Sequence, residues 1–390
     1  MPPIPPLRPF RPGFGGAPPY LAGREEEQRL LRERLAELAG GDPPGTALFL
    51  YGPRGNGKTV LLKWLEREVA ESFPGLDVLF LTPSRVPTLV QLAQHIAPRS
   101  WLAGFRPSEV KIPALSATIA WGIEGGPLPP LEELLEARVR NRPLLLILDE
   151  AHTLNREVGH TLLNATQFLE GEHPFLLVLA GTPDLPRRLR DMNASFWGRG
   201  TRIRVGRLKD AAAAEAIRVP LGQHGVSVAG EVLDSVVRDC HGYPYFTQVW
   251  GDAIWRQICD AGGEPRPEVT ATDRDLARER FAETRDAYYQ LRYGEIADER
   301  LLPAARAVAD AFVAAREASG DREEALTYEQ LDAAVARGLG SEADPDRAFA
   351  VRQRLDHLGF IWGTARGPSW EPGIPSLMDY LRRYAPPLGS

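Results

Sequence analysis

The run Ala47-Leu48-Phe49-Leu50-Tyr51-Gly52-Pro53-Arg54-Gly55-Asn56-Gly57-Lys58-Thr59, continued by Val60-Leu61-Leu62, joins a short apolar strand to a glycine-rich loop and the start of a helix. Gly52 to Thr59 fits G-x-x-x-x-G-K-[ST] without departure, in a strand–loop–helix setting. Glycines permit the dihedrals that turn successive backbone N–H groups inward, and the following helix adds the positive end of its dipole. The pattern is therefore an anion cradle, built for a triphosphate tail. Lys58 is expected to reach the β- and γ-phosphates, and the Thr59 hydroxyl to ligate Mg²⁺. Pro53, Arg54, Gly55, Asn56, Gly57 and Val60 complete the predicted nucleotide-binding set.

A second stretch supports this reading. Leu144-Leu145-Leu146-Ile147-Leu148 is a buried strand that ends in Asp149-Glu150. Ligands of open parallel sheets bind beyond the carboxyl ends of the strands. Asp149 is expected to face Mg²⁺, and Glu150 to polarise the attacking water of a hydrolysis. Working outward, Val78–Leu81, Phe175–Ala180 and Thr201–Leu208 read as further strands. Helical stretches at Lys58–Glu71, Thr88–Ile96 and Val158–Leu169 separate the strands up to Phe175. Near-continuous apolar strands alternating with helices predict an α/β core with a parallel sheet covered on both faces.

The chain has 390 residues, which exceeds one core and predicts several units. Residues 1–20, rich in Pro and Gly, read as a flexible arm. Residues 21–208 form the nucleotide-binding core, opened by an amphipathic helix at Glu25–Leu38. The irregular stretch 100–130, with alternation over Val110–Trp121, reads as an inserted hairpin. Residues 209–293 read as all-helical. In 294–390, helical segments at Pro303–Ala315, Tyr328–Ala336 and Asp346–Leu358 precede an extended pair, the layout of a winged helix.

Composition is that of an ordinary globular protein, 43% hydrophobic and 25% charged, with a formal net charge of -6. That balance excludes a wholly nucleic-acid-binding surface but permits a local basic patch. Cys240 and Cys259 have neither disulfide nor metal spacing and read as reduced core residues. No run reaches the ~18 apolar residues of a membrane span, and the N-terminus lacks signal-peptide order. A cytoplasmic protein with no membrane partner is expected. His95, His152 and His224 lack ligand-like spacing and read as surface or capping residues, and Trp250 and Trp255 read as core.

With these residues in place, the chain resembles the AAA+ ATPases. It is most similar to the branch that holds the origin-recognition (Orc/Cdc6-type) ATPases and the STAND-type signalling ATPases. Gly23-Arg24-Glu25-Glu26 resembles that family's leading G-R-E motif, which implies that Arg24 lies near the adenine. Leu179-Ala180-Gly181-Thr182-Pro183 follows the fourth strand, where the resemblance implies a polar sensor, Thr182. Gly242-Tyr243-Pro244 resembles the G-x-P of a helical lid, so Pro244 would pack against the base. The resemblance implies an AAA+ core, an all-helical lid and a C-terminal winged-helix domain, with ATP and Mg²⁺ as ligands.

One departure is that Tyr245 stands where many such lids carry a sensor arginine. Either another arginine or a partner supplies the charge, or hydrolysis is slow. The family places an arginine finger near Ser195–Arg202, and Arg199 is the first choice there, with Arg202 second. A finger acting in trans would imply an ATP-dependent homo-oligomer. The segment Asp149–Leu208 is also similar to transposition ATPases of the TniB/TnsC type, through Leu179–Leu185, Asn193, Phe196 and Arg199. In the third helix of the C-terminal unit, Arg347, Arg352, Arg354 and His357 form a basic stripe, with Arg366 in the candidate wing. These suit double-stranded DNA phosphates. From Asp298 onward, however, 11 Lys/Arg face 15 Asp/Glu, a net of -4. A protein partner docking on this unit is the alternative reading.

Overall fold

The computed structural model describes residues 8–13, 18, 20–44, 47–97, 105–106, 122–123, 129–259, 263–319, 325–363 and 369–384. Seven strands lie among the described residues up to Arg204: β1 (Leu48–Tyr51), β2 (Asp77–Leu81), β3 (Phe105–Arg106), β4 (Gly122–Ile123), β5 (Leu144–Leu148), β6 (Phe175–Gly181) and β7 (Thr201–Arg204). Five of them form one sheet in the order β2-β5-β6-β1-β7, with every pair parallel. The register sets Leu48 beside Val178 and Leu148 beside Leu179. The carboxyl ends of β5, β6 and β1 therefore open side by side, which brings Asp149, Thr182 and Gly52 to one edge.

Period-two alternation explains the two-sided burial. Leu144, Leu146 and Leu148 point into one apolar cluster, while Leu145 and Ile147 point into the other. Helices α1 (Glu25–Ala39) and α2 (Lys58–Ser72) cover the second face through Leu31, Leu35, Leu38, Leu61 and Leu65. On the first face lie α3 (Leu89–Ile96), α4 (Leu131–Val139), α5 (Arg156–Leu169) and α6 (Leu185–Met192). The short α7 (Ala194–Arg199) leads into β7, which ends at Arg204 rather than Leu208. Within the stretch 100–130, expected as an inserted hairpin, β3 and β4 pair antiparallel, and the alternating segment Val110–Trp121 between them lies outside the described residues.

Beyond the sheet come α8 (Asp210–Gln223), α9 (Gly230–Cys240), α10 (Pro244–Ile258) and α11 (Ala271–Asp298). This lid is not wholly helical. β8 (Ser227–Val228) and β9 (Glu268–Val269) form a two-residue parallel pair, too short for any periodicity to register. Helix α11 begins at a capping box, in which Thr270 and Asp273 exchange hydrogen bonds. It runs through the 293/294 boundary expected from sequence.

The C-terminal unit holds α12 (Leu302–Ser319), β10 (Leu326–Thr327), α13 (Tyr328–Leu339), α14 (Pro345–His357), β11 (Ile361–Gly363), β12 (Ser369–Pro372) and α15 (Pro375–Tyr384). Its strands make an antiparallel sheet in the order β10-β12-β11. Helix α15 was not anticipated; it seats Leu377, Met378 and Leu381 in the core. Lid and C-terminal unit share that single apolar cluster. Trp250 lies inside it, stacked on Phe281 at 4.5 Å. Among the described residues no helix is long and apolar enough to cross a membrane.

The flexible arm needs correction at residues 8–13. Phe10 is 1% exposed and belongs to the lid cluster. It lies over Gly251, where an added Cβ would come within 2.2 Å of the ring. The Arg11 amide donates to Gln248 Oε1 at 3.1 Å. Composition averages over a segment, but one buried aromatic contributes about 2–3 kcal/mol and suffices to seat these residues. Phe10→Ala is expected to cost about 3 kcal/mol in urea unfolding. An unchanged unfolding midpoint would show that the arm is not anchored there.

Candidate functional site

The loop after β1 wraps a cavity of about 360 Å³, within the range of small-molecule sites, ~300–1,000 Å³. Its wall includes Arg24, Arg54 to Val60, Glu150 and Pro244. Gly55 and Gly57 sit at φ +79° and +90°, in the left-handed region open to glycine. At Gly55 a Cβ would also lie 2.1 Å from the Tyr243 hydroxyl. That hydroxyl donates to the Arg54 carbonyl at 2.5 Å and lies 2.9 Å from Tyr288 Oη. The Gly242-Tyr243-Pro244 turn thus latches the lid onto the loop.

Lys58 is buried, and its Nζ donates to the Gly52 and Pro53 carbonyls at 2.8 and 2.9 Å. Burial lowers its pKa to about 8, opposed by the Glu150 and Asp149 carboxylates. The ammonium is therefore mostly charged at neutral pH and held at the loop's centre. Thr59 Oγ1 donates to Asp149 Oδ2 at 2.6 Å. These hard oxygen donors, from the two residues read as metal ligands, suit Mg²⁺, which takes one or two protein ligands beside phosphate and water. Among the described residues no cluster of three His, Cys, Asp or Glu could hold a metal, so a dedicated all-protein cage is not how such an ion would be held.

Glu150 adopts φ +54°, a rare conformation for a residue with a side chain. Its amide donates to Asp149 Oδ1 at 2.9 Å, which steadies the turn. Burial raises the Glu150 carboxyl, and the nearby Lys58 charge opposes that shift.

Arg24 is buried and donates to the carbonyls of Asn56 at 3.0 Å and Gly206 at 2.5 Å. It braces the loop against the chain after β7 as well as lining the cavity. Asn56 is braced too, through Nδ2 to the Val205 carbonyl at 3.2 Å. Thr182 is buried at the end of β6 and stands behind the cavity wall, beside His152.

His152 is a correction, because it is neither a surface nor a capping residue. It is 7% exposed, with Nδ1 3.5 Å from both Glu150 Oε2 and the Thr182 amide. Burial lowers its pKa to about 4, so the ring is neutral at physiological pH. It links the acidic pair to the β6 end. Arg199 is exposed and lies away from the cavity, while Arg202 stacks on Trp197 at 4.5 Å. Neither reaches the phosphate loop of its own chain.

Sequence reasoning missed two further parts of the wall. Arg11, Pro12, Pro18 and Tyr20 from the arm close one side. Arg292 of α11 closes another, 7% exposed, with Nη1 on Glu295 and a buried Nε that lacks a hydrogen-bond partner. Arg54 pairs with the same Glu295 at 3.1 Å. No periodicity marks Arg292, since α11 carries charges on most of its turns.

Three members of the basic stripe of α14 are engaged within the chain. Arg352 is buried, pairs with Asp332 at 2.9 Å and lies 4.1 Å over the Tyr328 ring. Arg354 pairs with Glu299, and His357 lies 3.7 Å from Asp184 of the core. Arg352 and Arg354 thus each meet a carboxylate of their own chain, while burial lowers the His357 pKa and favours its neutral ring. Arg366 lies outside the described residues.

Sheet order, phosphate loop and acidic pair together give a P-loop nucleotide-binding fold, followed by a largely helical unit. Residues 44–189 match the family model described as an AAA domain. Over nearly its whole length the chain is similar to the Walker-type ATPase PABY2304 of Pyrococcus abyssi. The TM-score is 0.59 at 17% identity, covering 93% of this chain and 96% of that one. It is also similar to the Aeropyrum pernix ORC2 protein, solved as ADPNP–ADP complexes, with a TM-score of 0.56 at 16% identity, covering 95% and 96%. At such identities the likeness is one of fold. No curated protein matches in sequence.

Proposed function

We propose that the protein binds Mg·ATP between sheet and lid, hydrolyses it, and uses the nucleotide to switch how the lid and C-terminal unit sit on the core. The observation that carries this reading is the 2.6 Å contact of Thr59 with Asp149 at the mouth of a glycine loop that holds a buried lysine. ADPNP and ADP in the similar ORC2 protein support a nucleotide in this cleft. Mg²⁺, held by Thr59 and through water by Asp149, would neutralise phosphate charge. Lys58 and the loop amides bind the tail, Glu150 takes the proton of the attacking water, and Thr182 and His152 orient that carboxylate. Arg292 supplies the lid charge that Tyr245 does not. Arg199 remains the candidate finger toward a second copy.

We read 302–384 as a winged helix. In this conformation Arg354–Glu299 and His357–Asp184 hold it on lid and core. An ATP-dependent release would free Arg354 and His357 for duplex DNA or a DNA-processing partner. The same pairs favour a second reading, a signalling switch whose C-terminal unit docks protein. Phosphate release and duplex binding, measured from 50 to 200 mM salt with ATP or ADP, test both. DNA binding that is ATP-dependent and falls steeply with salt supports the first. Turnover without nucleotide-dependent duplex binding leaves the second, and ATP-dependent filaments on duplex would point to a transposition-type regulator. Absence of turnover under all conditions removes the hydrolytic role.

A further inference from the structure

A second cavity, of about 1230 Å³, opens where β7, the lid and the C-terminal unit meet. It shares only Leu208 with the phosphate-loop cavity. Seven arginine and lysine side chains line it against four carboxylates, in a chain whose net charge is -6. Two of those carboxylates are matched within the wall: Glu371 with Arg207 at 3.7 Å, and Asp379 with Arg316 through two bonds of 2.6 and 2.9 Å. A third, Asp239, is engaged from outside by Arg278 at 3.5 Å. Among the described residues, Arg204, Arg238 and Arg383 meet no carboxylate at ion-pair distance.

Arg204 is the sharpest feature. Its guanidinium carbon lies over the Trp362 ring, 4.1 Å from the ring centre, with the Tyr51 ring at 5.9 Å. Among the described residues its Nε and Nη2 are buried without a hydrogen-bond acceptor, although the buried Asp356 carboxyl lies close enough to feel its charge. A buried donor left unsatisfied costs ~1–3 kcal/mol, more when charged, so such an edge normally faces an acceptor. Guanidinium groups match phosphate oxygens with paired N–H bonds.

We propose that this junction cavity binds a small ligand bearing several phosphate groups, separately from the nucleotide at the phosphate loop. Three walls line a half-open volume somewhat above the ~300–1,000 Å³ of ordinary small-molecule sites, with room for a ligand that carries several phosphates. Because core, lid and C-terminal unit each supply cations, an occupant favours the docked arrangement over any in which the walls part.

The probe is inorganic tripolyphosphate, titrated calorimetrically into the full chain saturated with Mg·ADP at fixed free Mg²⁺. One saturable site is expected. The double variant Arg238→Glu/Arg383→Glu, at two exposed positions, is expected to weaken it at least tenfold while ADP affinity at the phosphate loop stays as it was. Arg204→Ala should act in the same direction. No saturable binding, or binding indifferent to both variants, overturns the proposal. So does a duplex oligonucleotide whose binding is lost in these variants while tripolyphosphate remains silent.

Discussion

In Lys58→Ala, saturating Mg·ATP is expected to leave the thermal unfolding midpoint unmoved, while it raises that of the native chain. A ligand at 100 times its dissociation constant stabilises by about 2.7 kcal/mol, which corresponds to roughly 5–10 °C in a domain of this size. The ammonium is buried within the loop, fixed between the Gly52 and Pro53 carbonyls. Without it the loop loses the cation held at its centre, and affinity should fall at least a hundredfold. The substitution also vacates a buried position, so Lys58→Met, which keeps most of the volume, serves as the companion. If either folded variant is still protected by ATP, the phosphates lie elsewhere.

The loop and the acidic pair were legible because their geometry is local. A strand, a fixed glycine spacing and a helix start place Lys58 and Thr59 with little help from the rest of the chain. Strand β5 places Asp149 through its own apolar run. The sheet then brings the two together, and the 2.6 Å bond between Thr59 and Asp149 is the product. What stayed hidden depends on packing between distant segments. Phe10 sits in a Pro-rich stretch whose composition reads as arm, yet it fills the space over Gly251. Arg292 looks like any solvated charge on a long helix until α11 crosses the loop.

The stripe on α14 shows the same limit from the other side. Spacing places Arg352, Arg354 and His357 on one helix correctly. It does not reveal Asp332, Glu299 and Asp184, the carboxylates that meet them. Helix periodicity assigns a face; it does not name what the face meets.

Glu150→Gln separates binding from chemistry. The change preserves size and the left-handed turn already adopted at φ +54°, and it leaves the Asp149–Thr59 bond in place. ATP affinity should stay within about threefold, or tighten as a negative charge leaves the phosphate site. Phosphate release should fall at least a hundredfold, since a positioned general base contributes ~10²–10⁴. The pH profile adds a second readout. Burial raises the Glu150 carboxyl, so native turnover should decline on acidification at a higher pH than an ordinary carboxylate would give. Neighbouring His152, held down to about 4, stays neutral over that range and does not mimic the limb. In Glu150→Gln the acid limb should vanish with the activity. Residual turnover within tenfold of native, keeping the same acid limb, would assign proton removal to another group and leave Glu150 as a brace for the turn.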